Sequence, residues 1–137
     1  MQLAQLPDEY IDQYTNSSPL FFTLNLLRLC TNYLYVMTPN VDPKIVGTIL
    51  LRKRLQGLTA GYQWKIHAVY VAPELRGRGL GVELLSYAFQ RLRERGAAEV
   101  SLKVDENNEP AIRLYRKYGF TVKGKAQSQL IFVKSVT

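Results

Sequence analysis

Along the chain the apolar positions change period several times, and each change marks an element. WKIHAVYV (64–71) is apolar on both alternating faces apart from Lys65 and His67, the pattern of a central strand covered on two sides. From Leu80 onward Val82, Leu85, Phe89 and Leu92 recur at helical spacing with Glu83, Gln90, Arg91, Arg93 and Glu94 away from them, and Gly96 ends the helix. EVSLKV (99–104) is a strand, Asn108 to Tyr118 a helix stopped by Gly119, and FTVKG with SQLIFVK a closing hairpin. Upstream, YLYVM (33–37) and KIVGTILLRKR (44–54) flank a turn containing Pro39, Asn40, Asp42 and Pro43, which predicts an antiparallel hairpin. A further turn, Gln56 to Gln63, leads into the central strand. LPDEYIDQYTNSSPLFFTLNLLRLC (6–30) predicts two short helices, one opening at Pro7 with Asp8 and Glu9 in its first turn, the other capped by Ser18 with Pro19 at its first position. No strand is evident before them.

Strand, helix and strand between 64 and 104 form a right-handed crossover, so 64–71 and 99–104 are expected to lie parallel in a mostly antiparallel sheet. The fold class is α/β, or α+β with one parallel pair. At 137 residues a single domain spanning 1–137 is expected.

Charge and cysteine content narrow the function. Eighteen Lys and Arg against 11 Asp and Glu give a net charge of +7. Asp8, Glu9, Asp12 and Asp42 face only Arg28 and Lys44 in the first fifty residues, whereas six bases and no acids follow Glu109. A basic C-terminal half suits an anionic partner such as a phosphorylated cofactor. Nucleic acid is disfavoured, because basic and aromatic residues form no known reading motif. Cys30 stands alone, which excludes an internal disulfide and reads as a small buried side chain. Neither a signal peptide nor a membrane span is expected, and a cytoplasmic location follows. One histidine, one cysteine and no clustered acids suggest no metal site.

The stretch VAPELRGRGLG (71–81) carries the chemistry. Gly77, Gly79 and Gly81 lie between the end of a buried strand and the first turn of a helix, where backbone N–H groups lack intrahelical partners. Residues without side chains let a ligand approach those amides, and the helix dipole favours an anion there. Arg76 and Arg78 add planar donors suited to phosphate oxygens. A dinucleotide fingerprint would need glycine where Val82 or Leu84 stands, and the G-K-[S/T] of a phosphate-loop NTPase does not occur.

VAPELRGRGLG resembles the R/Q-x-x-G-x-G/A signature of the GNAT superfamily of acyl-CoA-dependent N-acyltransferases, read as Arg76, Gly79 and Gly81. NEPAIRLYRKYGF (108–120) resembles the family's second motif, N-x-x-A-x-x-L-Y-x-x-x-G-F, at the usual distance. Around these motifs the chain is most similar to the ribosomal-protein alanine N-acetyltransferases. The resemblance implies a central parallel β-α-β pair in a mostly antiparallel sheet, with helices on both faces. It also implies acetyl-CoA as acyl donor: Val69, Tyr70 and Val71 would pair with the pantetheine arm, Arg76, Gly77, Arg78, Gly79, Leu80, Gly81 and Val82 would hold the pyrophosphate, and Asn108 would lie on the cofactor side. Asn108 is equally a helix N-cap before Glu109 and Pro110.

Tyr115, by its match to the motif tyrosine, becomes the general acid for the departing thiolate, and otherwise a core aromatic at helical spacing. A thiol pKa near 8.5 makes that help partial. The attacking amine must first lose a proton. Where the resembled subfamily carries a glutamate base, this chain has Lys103, so His67, Glu74 and Asp105 are the substitutes. His67 also fits a hydrogen-bonded interior histidine. The oxyanion of a tetrahedral intermediate would meet a backbone N–H near Val71.

The expected activity is transfer of acetyl from acetyl-CoA to a primary amine, a small molecule or a peptide N-terminus. The alternative is a non-catalytic acetyl-CoA sensor or regulatory domain, motivated by Lys103. The resemblance also allows a homodimer.

Overall fold

The computed structural model describes residues 2–5, 30–38, 45–56 and 61–137. Of the helical stretch expected over 6–30, residues 6–29 lie outside the described residues, as do the turn at 39–43 and the side chain of Cys30; Cys30 itself, expected at the end of the second helix, begins a strand instead. The strands are β1 (Gln2–Gln5), β2 (Cys30–Thr38), β3 (Gly47–Leu55), β4 (Tyr62–Val71), β5 (Glu99–Asp105), β6 (Thr121–Ala126) and β7 (Gln129–Ser135). Helix α1 (Leu80–Glu94) joins β4 to β5, and α2 (Glu109–Tyr118) joins β5 to β6.

These strands form one seven-stranded sheet in the order β1-β2-β3-β4-β5-β7-β6. Every described pairing is antiparallel except β4 with β5, as the crossover requires. Strand β1 was not expected, because QLAQ lacks the β-branched and aromatic residues that signal a strand; its pairing with β2 supplies what local composition does not. The other elements lie within about three residues of their expected positions.

Alternation on β2 and β3 sends Tyr35, Met37, Ile49 and Leu51 to one face and Leu34, Val36 and Leu50 to the other. On the first face they meet Leu84, Leu85, Ala88, Phe89 and Leu92 of α1, together with Trp64, Ile66, Val100, Leu102 and Phe132 of the sheet. Helix α2 joins this cluster through Tyr115, whose ring meets Phe120 edge-on at 5.7 Å and Phe132 at 6.1 Å between centroids. Both described helices thus pack on one face. On the opposite face of β4, Ala68 and Tyr70 are exposed, so the two-sided cover expected of this strand is found on the helix side alone among the described residues.

Candidate functional site

Two irregularities of β4 open the sheet. Its register with β3 runs Leu50↔Ala68 and then Leu51↔Ile66, which leaves His67 as the extra residue of a β-bulge. Its parallel pairing with β5 runs only from Trp64↔Val100 to Ile66↔Leu102. Beyond the bulge, therefore, β4 stays with β3 and has no strand partner on its other side among the described residues. The amide of Ala72 donates to Val46 at 2.8 Å, on the β3 side. By strand alternation the amides of Val71 and Val69 face away from β3, into the gap.

Immediately after the gap the chain turns into α1. A short 3₁₀ turn, Pro73–Leu75, precedes Arg76, and Gly77 and Gly79 each take φ of +79°, the left-handed region that side chains disfavour. A Cβ built on either would meet nothing within 4 Å, so space lies open above the backbone. Gly79 is the N-cap and has no side chain with which to cap the helix; the first helical bond runs from the Glu83 amide to the Gly79 carbonyl at 3.1 Å. The amides of Leu80, Gly81 and Val82 precede that bond and belong to the unpartnered first turn, an anion-binding arrangement. Gly81 has a different reason to be glycine: its Cβ would lie 3.0 Å from Leu114 Cδ2 of α2, so the two helices approach through it.

The gap and the glycine turn share one cleft of about 540 Å³. Val69, Tyr70 and Val71 line one end, and Arg76, Gly77, Gly79, Leu80, Gly81 and Val82 the other, with Asn108 and Tyr115 contributed by α2 and its cap. Arg78 is exposed and does not line it. Arg76 is partly committed elsewhere, since its Nε donates to the Val71 carbonyl at 3.0 Å. Asn108 caps α2, its Oδ1 accepting from the Ala111 amide at 3.3 Å, and still lines the cleft. Tyr115 is buried apart from its approach to the cleft, and burial raises its phenol above the ordinary 10.0, so the O–H remains a donor at neutral pH. Sequence reasoning missed Lys117, Leu75 and Leu114, which also line this space. Lys117 lies two residues after Tyr115 in the basic last turn of α2, and that charge was the signal that could have found it.

His67 does not line this cleft. It belongs to a second cavity, of about 320 Å³, on the face opposite α1 and α2, together with Lys65, Ser101, Lys103 and Gln129. Partial desolvation, and then the charges of Arg52, Lys65 and Lys103, lower the His67 pKa from 6.5 to about 4. Lys65 is also held below its ordinary value, first by partial burial and then by Lys103, Arg54 and Arg52. A histidine this acidic is neutral at pH 7, but it is a weak base toward an ammonium of pKa about 8 or higher. Glu74 and Asp105 line neither cavity; Asp105 Oδ1 accepts from the Asn107 amide at 2.8 Å in the turn before α2.

Residues 3–120 match the family model of the acetyltransferase (GNAT) family. A mycothiol acetyltransferase of Thermomonospora curvata is 39% identical over 92 residues, which cover 61% of this chain and 30% of that one. An uncharacterised N-acetyltransferase of Methanocaldococcus jannaschii is 36% identical over 72 residues, covering 53% and 32%. The chain thus matches less than a third of the length of these curated relatives. Among solved structures, the PaiA N-acetyltransferase of Thermoplasma acidophilum in complex with coenzyme A superposes with a TM-score of 0.67 at 19% identity, over 93% of this chain and 76% of that one. A GNAT-family acetyltransferase of Elizabethkingia anophelis with acetyl-CoA bound gives 0.67 at 14% identity, over 98% and 97%. With a family match spanning most of its length, this chain belongs to the acetyltransferase (GNAT) family.

Proposed function

We propose that the protein transfers an acetyl group from acetyl-CoA to a primary amine by direct attack. The observation that carries this reading is the single cleft joining gap-facing strand amides at Val69 and Val71 to the open, left-handed glycine turn ahead of α1. An extended amide-bearing arm suits the former and a diphosphate the latter. The open space over Gly77 and Gly79 is what such a ligand needs, since a side chain there would enter it.

Acetyl-CoA would supply an activated thioester. This chain would then act at three points. Attack of the amine nitrogen on the acyl carbon drives charge onto the acyl oxygen, which the gap-facing Val71 amide is directed to meet. As the carbon–sulfur bond breaks, the Tyr115 O–H can hydrogen-bond to the leaving sulfur; because its pKa is raised above that of a thiol, full proton transfer is against the gradient and the help is partial. The amine proton leaves to water or to neutral His67. The weakness of that base suits an acceptor whose amine is deprotonated at modest cost, an α-amine more than a lysine-like one. The mycothiol relatives match over too little of their length for their acceptor to be carried over.

A second reading, an acetyl-CoA-binding domain without catalysis, is favoured by one observation: a cation, Lys103, and a histidine of pKa about 4 stand where a stronger base would be expected. One experiment separates the two. The thermal midpoint of wild type and Gly79→Glu is measured with and without acetyl-CoA, followed by CoA release with a panel of amines. At a hundredfold over Kd the ligand should stabilise wild type by about 2.7 kcal/mol, and the glutamate should abolish the shift. Release that depends on acceptor supports transfer; a shift without release supports the second reading; no shift in folded wild type overturns both.

A further inference from the structure

Lys65 and Lys103 stand on the face opposite α1 and α2, in the cavity shared with His67 and Gln129. That cavity includes Ile66 and Leu102, the last paired residues of β4 and β5, so it meets the sheet where the gap begins. The glycine cleft reaches the gap from further along β4, at Val69 to Val71. A molecule in the second cavity can therefore present a group to the gap while the rest of it lies over β5 and β7.

What it would lie against is cationic. Lys65 comes from β4 and Lys103 from β5, Arg52 of β3 stands across the β4 backbone as the partner of Lys65, and β7 contributes only Gln129 and Ile131. No residue lining the cavity is acidic among the described residues. Lys65 is half-buried, and the charged groups that act on it, Arg52 and Arg54 of β3 and Lys103 of β5, have its own sign. Like charges gathered on adjacent strands repel, and partial burial weakens the water screening that would relieve them. An anion in the cavity relieves both costs.

We infer that the acceptor is an amine that also bears an anionic group, a carboxylate or a phosphate, which Lys65 and Lys103 hold in the cavity so that the amine faces the gap between β4 and β5. This rests on the transferase reading above and gives it a substrate class. Neutral amines and polyamines would lack the anchor, and polyamines would be repelled.

The test uses a property of the composition: His67 is the only histidine, so its ring signal reports on this cavity without assignment ambiguity. Its titration is followed by NMR in chloride and, at equal ionic strength, in sodium succinate or inorganic phosphate. Binding should move the pKa from about 4 toward the ordinary 6.5, and the anion-dependent part should shrink in Lys65→Gln and Lys103→Gln. A response to succinate alone assigns a carboxylate, and a response to phosphate alone assigns a phosphate. In parallel, CoA release is compared for β-alanine against β-alaninamide and for O-phosphoethanolamine against ethanolamine. The acidic member should be preferred, and Lys103→Gln should raise its KM about tenfold with little change in kcat. A titration indifferent to both anions overturns the inference, whether or not any amine turns over, as does equal use of the neutral partners. The acetyl-CoA thermal shift is recorded for each variant. If it is absent in wild type, the transferase reading has failed; if it persists while the anion effects are absent, only the acceptor class has.

Discussion

Arg76 Nε donates to the Val71 carbonyl at 3.0 Å and so ties the start of the glycine turn to the end of the strand that feeds it. The bond bridges the two halves of the candidate cleft: amides for an extended arm on one side, a cradle for phosphates on the other. Removing it should affect ligand geometry more than fold, because the bond is exposed. Arg76→Ala is expected to weaken acetyl-CoA binding about tenfold, with a thermal midpoint close to wild type. Arg76→Lys should recover little, since an ammonium cannot keep the Nε bond while offering planar donors to a phosphate. Calorimetric titration with acetyl-CoA and a melting curve for each variant check this.

The glycines of the turn should respond to alanine in different ways. At Gly77 and Gly79 a methyl has open space but the wrong backbone conformation, φ of +79°, so each alanine should cost about 1–2 kcal/mol without any clash. At Gly81 the backbone is ordinary and the neighbour is close, Leu114 Cδ2 at 3.0 Å. Alanine there gains up to about 1 kcal/mol of helix propensity, which offsets the displacement of Leu114, so stability should stay within about 1 kcal/mol of wild type. Because Leu114 lines the cleft, acetyl-CoA affinity should nevertheless fall. Denaturant unfolding and ligand titration on the three alanine variants separate strain from crowding.

How much of this was legible in the sequence follows from which features are local. The spacing of Val82, Leu85, Phe89 and Leu92 announced α1, and Gly96 and Gly119 ended the two helices with φ of +72° and +106° as expected of C-terminal glycines. The glycine turn was also legible as a place where a ligand can reach backbone amides, whereas the left-handed backbone at Gly77 and Gly79 was not read from the sequence. The bulge at His67 was not, since a bulge is a property of register between two strands and leaves no mark in WKIHAVYV. It is that register which ends the β4–β5 pairing after Ile66 and separates His67 from the Tyr115 cleft. Lys117 escaped notice for a similar reason: its place beside the glycine turn depends on how α2 docks on α1.

Tyr115 offers a test of chemistry with small structural cost. Its ring is held by Phe120 and Phe132, contacts that phenylalanine retains. Tyr115→Phe is therefore expected to keep stability within about 0.5 kcal/mol and to bind acetyl-CoA normally. Its kcat should fall by about 10- to 100-fold, at or below the lower end of general-acid effects, because a phenol above pKa 10 gives a hydrogen bond to a thiolate more readily than a proton. Stopped-flow CoA release under saturating acetyl-CoA measures the loss. An unchanged rate would remove Tyr115 from the mechanism.

His67 makes the stability of the fold depend on pH in a window fixed by its two pKa values. In the unfolded chain its pKa is near 6.5, and in the folded protein it is about 4, so between these values the unfolded state binds more protons. Stability from this group is therefore fully present above about pH 6.5, falls as pH is lowered toward 4, and changes no further below that. Because the ring is exposed to solvent, the observed loss should be well short of the full linkage. Thermal midpoints of wild type and His67→Gln, measured from pH 7.5 to 3.5, should run together at the neutral end and separate at the acid end, wild type falling below the variant because only histidine acquires a penalised charge, with glutamine lacking the slope between pH 6.5 and 4. Lys103→Gln should raise the folded pKa by removing one of the three cations that hold it down, and so narrow the window from its acid side. A slope identical in wild type and His67→Gln would mean that the acid loss comes from carboxylates instead, and that the Arg52, Lys65 and Lys103 charges do not reach the ring.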